Sequence, residues 1–158
     1  MSNQRKTKAV RETALGIAVE KTAVSLADID LFTVTGEVLI TLLYGIVTGA
    51  GDGGATTIKL NEKASSIDLC AATTVTSDAV GEVYVLMGDR TLIMGGTGAV
   101  PVLKVAGFLA AFPHSPIIFD GQSGLIIELT QTGDDATHAV KWTLCYIPLE
   151  EGASVVAA

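Results

Sequence analysis

The chain has 158 residues, 49% of them hydrophobic but only 5% aromatic, with 17 acidic side chains against 10 basic ones and a net charge of −7. That length suits one domain with a real core, and the acidic balance argues against a nucleic-acid surface, since phosphates would be repelled. The mean hydropathy of +0.50 is high, yet no apolar run reaches the ~18 residues that a membrane helix needs.

The charge is unevenly spread. Residues 1–11 hold Arg5, Lys6, Lys8 and Arg11 and no acid, while the rest of the chain sets six basic side chains against all 17 acids, or −11. Residues 1–13 read as a polar basic arm that orders only against a partner, followed by one domain over 14–158. No apolar stretch follows the basic residues, so no secretory signal is expected. High hydropathy without a membrane span predicts apolar surface buried between subunits.

In chain order, Ala14 to Val19 is a short apolar strand candidate. Asp28 to Thr35 alternates and leads through Gly36 into Glu37 to Thr48, a run of Val, Leu and Ile suited to burial on both faces. Gly49 to Gly54 is a glycine-rich hairpin turn, Ala55 to Leu60 alternates with Ile58 and Leu60 on one face, and Ser66 to Ala71 follows. Gly81 to Met87 and Thr91 to Met94 flank a turn at Gly88. Gly95 to Gly98 is a loop, and Val102 to Phe112 is helix-permissive, but Gly107 and flanking prolines favour a bent strand. Pro113 and Pro116 bracket His114 in a loop. Ile117 to Asp120 and Gly124 to Thr130 are strands, and Gly133-Asp134-Asp135 is a hairpin turn.

The last long strand, Ala139 to Glu150, puts Val140, Trp142, Leu144 and Tyr146 on one parity and Lys141, Thr143 and Cys145 on the other. This is the pattern of a strand covering a core on one side, with Trp142, Leu144 and Tyr146 as core anchors. About ten short strands, with no sustained 3.6-residue period, predict an all-β antiparallel β-sandwich or jelly roll with an extended N-terminal arm.

Little in the sequence points to catalysis. Gly49-Ala50-Gly51-Asp52-Gly53-Gly54 spells G-x-G-x-x-G, but it opens a β-branched alternating run rather than the helix whose N-terminus would receive a pyrophosphate. His114 and His138 are 24 residues apart with no cysteine at ligand spacing, so both are expected as surface or turn histidines and no metal is expected. Asp134 and Asp135, with Thr132 and Thr137, could offer oxygens to calcium, but acidic turns are ordinary turn chemistry. Gly121-Gln122-Ser123-Gly124 lacks the spacing of a nucleophile elbow. Cys70 and Cys145 are expected to be free thiols in a reducing compartment. The expectation is therefore a chain that is not an enzyme and uses no cofactor.

The string Val140 to Ala153, ending in Val155-Val156-Ala157-Ala158, resembles the ending of a family of small tailed-phage virion proteins, in which a Lys-Trp-hydrophobic-x-Tyr-x-Pro-Leu-acidic-x-Gly-Ala tail recurs. Gly36 to Thr41, Gly45 to Thr48, Asp68 to Ala71 and Asp78 to Gly81 resemble its strand-rich middle. The resemblance implies a virion structural protein, made in the bacterial host cytoplasm, that decorates (cements) the capsid. It implies as partners the major capsid protein and other copies of the chain, in a homotrimer, and it supplies no catalytic residue. The arm cations Arg5, Lys6, Lys8 and Arg11 would then make the capsid contact. A receptor- or carbohydrate-binding virion module, using loop residues around Gly95 to Gly98 or His114, is the alternative, as is a tail or neck protein.

Overall fold

The computed structural model describes residues 14–24, 27–86 and 117–158, apart from the side chains of 122 and 123. The expected elements at 1–13, 91–94 and 102–112 and the loops at 95–98 and 113–116 lie outside that set.

Among the described residues the elements are nine strands: β1 Ile17–Val24, β2 Ile29–Gly49, β3 Thr57–Glu62, β4 Ile67–Asp68, β5 Thr73–Thr74, β6 Val83–Val85, β7 Ile117–Thr132, β8 Ala139–Pro148 and β9 Ser154–Ala157. All pair antiparallel. The all-β, sandwich-like expectation holds, with one addition: the strands form a single hydrogen-bonded network in the order β1-β8-β2-β7-β3-β4.

The spine of that network is β2. Along one edge it pairs β8 through Val38–Gly49 and β9 through Phe32–Thr35; along the other it pairs β7 through Ile29–Ile40 and β6 through Tyr44–Ile46. Gly36, expected to separate two strands, instead sits inside one 21-residue strand. Its φ of +69° falls where the register against β7 shifts, a conformation that glycine adopts without steric cost. A second shift, between Ile40 and Leu42, makes Thr41 an extra residue. The buried positions accordingly change from Val38 and Ile40 to Leu43 and Val47. An unbulged strand would have turned Leu42 and Ile46 inward instead.

Two expected hairpins are crossovers. β3 pairs β7 and not β2, and β7 and β8 lie on opposite edges of β2, so the glycine-rich turns at 49–54 and 133–135 join strands that do not pair with each other. The first strand begins at Ile17 rather than Ala14, because Ala14 and Leu15 are helical. Trp142 and Leu144 are fully buried and Tyr146 is 4% exposed, but Thr143 and Cys145 on the opposite parity are equally buried. The β8 strand is therefore covered on both faces in its middle, not on one. The core gathers Phe32, Leu43, Ile58, Leu60, Ile127, Leu129, Trp142 and Leu144 into one cluster.

Candidate functional site

Three features outside the plain aliphatic core could carry function. The first is a buried polar knot beside Trp142. Tyr84 on β6 stacks against the Trp142 ring at 6.2 Å between centroids, and its hydroxyl donates to Asp78 Oδ2. With that proton committed, the hydroxyl oxygen is left to accept from His138 Nε2 at 3.1 Å. Burial, then the adjoining Asp78, pushes the Tyr84 hydroxyl well above its ordinary pKa. His138, expected on the surface, is fully buried. Burial lowers its pKa against the pull of Asp135 and Asp78, so the neutral imidazole is favoured.

Asp135 in the acidic turn is fully buried. Its Oδ1 accepts the backbone N–H groups of Thr137 and His138, both at 2.9 Å, and the Thr137 hydroxyl at 3.1 Å; its Oδ2 accepts the Asp52 N–H at 3.1 Å. Burial alone would raise this carboxyl's pKa, but the donors outweigh it and hold it below the ordinary value. The carboxylate ties the 133–138 turn to the 50–54 loop, with its oxygens turned to backbone N–H groups and the Thr137 hydroxyl. Among the described residues no three His, Cys, Asp or Glu side chains converge to hold a metal.

The second feature is an open trough of about 680 Å³ on the outer face of β7, β3 and β4, lined by Asp28, Lys59, Asn61, Asp68, Glu128 and Thr130 among others. Register explains it. Asp30, Glu128, Asn61 and Asp68 stand opposite one another across β2, β7, β3 and β4, so one row of the sheet carries three carboxylates and an amide. Like charges directly opposite repel. Lys63 relieves the clash by bridging Asp30 at 2.7 Å and Glu128 at 3.5 Å, and Lys59 meets Asp68 at 2.6 Å. Asn61 Nδ2 donates to Glu128 Oε2 at 3.1 Å. The oxygens Asn61 Oδ1, Thr130 Oγ1 and Gln131 Oε1 are buried without a hydrogen-bond partner among the described residues.

The third feature is an aliphatic row on the same outer surface. Leu39 stands opposite Ile118 on β7 and Ile147 on β8, and Ile118 is 59% exposed, Ile147 41% and the nearby Leu149 45%. Glu37 and Asp120, paired at the next outward position, give the row a charged rim.

The structure thus places Trp142, Leu144 and Tyr146 in the core, while Arg5, Lys6, Lys8, Arg11 and His114 lie outside the described residues. Both cysteines are buried and outside any disulfide, and burial pushes the Cys70 thiol up to about 11. Sequence reasoning missed the Asp78–Tyr84–His138 knot and the trough, since each joins residues from several strands. The alternation of Thr57, Lys59 and Asn61 opposite apolar Ile58 and Leu60 was the one available trace of the trough. No family model, curated protein or solved structure matches the chain.

Proposed function

We propose that the chain is a non-enzymatic structural protein of a tailed-phage virion, a decoration protein that sits on the outer head shell as a homo-oligomer, with a trimer as the expected state. The observation that carries this reading is the row Ile118–Leu39–Ile147, three aliphatic side chains side by side on an outer sheet face. Such a ladder gains free energy by being covered, and its charged rim suits an interface edge. The resemblance of residues 140–158 to phage virion proteins supports the same reading. So does the knot around Tyr84, whose polar groups are enclosed with the core rather than opened to a substrate.

In this role the chemistry is contact alone. Each copy makes modest interfaces with neighbouring capsomers, and together they hold a shell that one interface would not. The arm exchanges chain freedom for contacts when its cations meet an acidic surface. Purified full-length chain mixed with heads that lack it should bind saturably and raise the temperature at which the heads burst. Deleting residues 1–13 should abolish that binding and leave the folded oligomer intact. Undiminished binding would remove the arm's role, and no binding by the intact chain would remove the decoration role in favour of a tail or neck position.

A further inference from the structure

Strand β1 ends the sheet on its side. It pairs with β8, and among the described residues no strand lies along its other edge. Its eight residues, Ile17–Val24, include no glycine or proline and match β8 pair for pair with no bulge. A long, regular edge of this kind offers alternate N–H and C=O groups to any extended chain, and proteins that keep one blunt it, often with a charge. Glu20 is not that charge. It is exposed on the outward side of the strand, where it bridges Lys141 on β8 at 3.4 Å.

Lys21 has the opposite parity and stands on the core side. Its neighbours there are Val19, packed against the core, and Ala23, 3% exposed, and it lies opposite the fully buried Trp142. An ammonium left inside such a row is costly, so the flexible stem carries it out to an exposed bond in which Nζ donates to the Ala158 main-chain oxygen. Ala158 in turn extends the ladder of β9 on β2, its N–H donating to the Leu31 carbonyl at 3.1 Å. We propose that Lys21 guards the β1 edge against pairing with a second copy of the chain. A strand laid along that edge would close the ammonium off from water. Antiparallel pairing with both cores on one side of the joined sheet sets like parity against like parity. Lys21 would then face Ile17, Val19, Lys21 or Ala23 of the second copy, and none of these is an acid. β1 is thereby kept as an edge, and association is left to other surfaces. The guard rests on β1 itself and does not depend on the virion reading.

Full-length wild type and single variants, followed by sedimentation velocity over a dilution series and by amide hydrogen exchange, test this. In the wild type, the alternate β1 amides that point away from β8 should exchange about tenfold faster, or more, than those bonded to it. Lys21→Val, which suits a strand, should form species larger than the wild-type oligomer that grow with concentration, and in them those same amides should slow about tenfold. Lys21→Gln, which keeps most of the stem and removes the charge, should do the same if the valine variant fails to fold. Lys21→Arg, and Thr22→Val on the exposed side of the same strand, should sediment as the wild type does. Adding Ile118→Lys to Lys21→Val should leave the larger species in place, which separates an edge contact from one through the aliphatic row. Wild-type β1 amides that all exchange slowly would show the edge already covered and overturn the assignment, whether or not any variant folds. So would wild-type sedimentation of the folded neutral variants, equal growth of Thr22→Val, or larger species that Ile118→Lys dissolves.

Discussion

Gly45 stands between two aromatic rings, opposite Tyr84 on β6 and Trp142 on β8. A Cβ there would lie 2.6 Å from Val140 Cγ1 and 2.8 Å from Trp142 Cε3, so the missing side chain is what lets the rings approach. Gly45→Ala should cost about 1–3 kcal/mol by overpacking, and Trp142→Ala about 3–5 kcal/mol by leaving a cavity. Urea melts with unchanged slopes would measure both, and a neutral Gly45→Ala would mean that the packing there is slack. Asp135→Ala strips the Asp52, Thr137 and His138 N–H groups of their acceptor and should cost about 2–3 kcal/mol. The pH dependence follows from the same residues. His138 has a folded pKa below its ordinary 6.5, so the unfolded chain takes up more protons and stability falls as pH drops from about 6.5. Asp135, depressed from 3.8, adds a further loss below that value. Cys70 acts at the alkaline end, where stability should fall between its ordinary 9.0 and about 11. Thermal melts from pH 4 to pH 7 should show Tm rising with pH. A flat profile that His138→Gln leaves unchanged would contradict the buried neutral imidazole.

At the scale of elements, β2 decides the architecture, and its bulges decide which side of each half is wet. Alternation made the inward faces of β3 and β8 legible, since Ile58, Leu60, Trp142 and Leu144 all point to the core as their spacing requires. Partners were not legible. Period two says which face a residue occupies but not which strand lies beside it, and a glycine-rich turn looks the same whether its flanks pair or cross over. His138 was misjudged for a related reason, because the hydroxyl that meets it sits 54 residues earlier and nothing adjacent in sequence marks the position as enclosed. Thr41 was equally hidden, since one extra residue in an apolar run changes no composition. The outer row yields a prediction at this scale. Ile118→Lys, at a position 59% exposed, should leave folding stability within about 0.5 kcal/mol while weakening self-association at least tenfold in sedimentation equilibrium. Unchanged association would place the interface elsewhere.

For the whole molecule, the sheet joins positions far apart in sequence: Ile17 pairs Tyr146 and Phe32 pairs Ala157. Such a topology closes late, and refolding from urea is expected on the ms–s scale rather than in microseconds. Until β8 is placed between β1 and β2, both lack a full partner, so folding intermediates would expose strand edges. The molecule is also divided in charge, with four cations and no acid in residues 1–11 and all 17 acids after them. Together with the aliphatic row, that division is the physical basis for reading the chain as a part of an assembly. Cryo-electron microscopy of the intact phage particle tests this most directly. The account predicts density for this chain on the outer head shell, with Ile118, Leu39 and Ile147 covered by a neighbouring subunit. Density elsewhere in the particle, or on the shell with that row facing solvent, would contradict it.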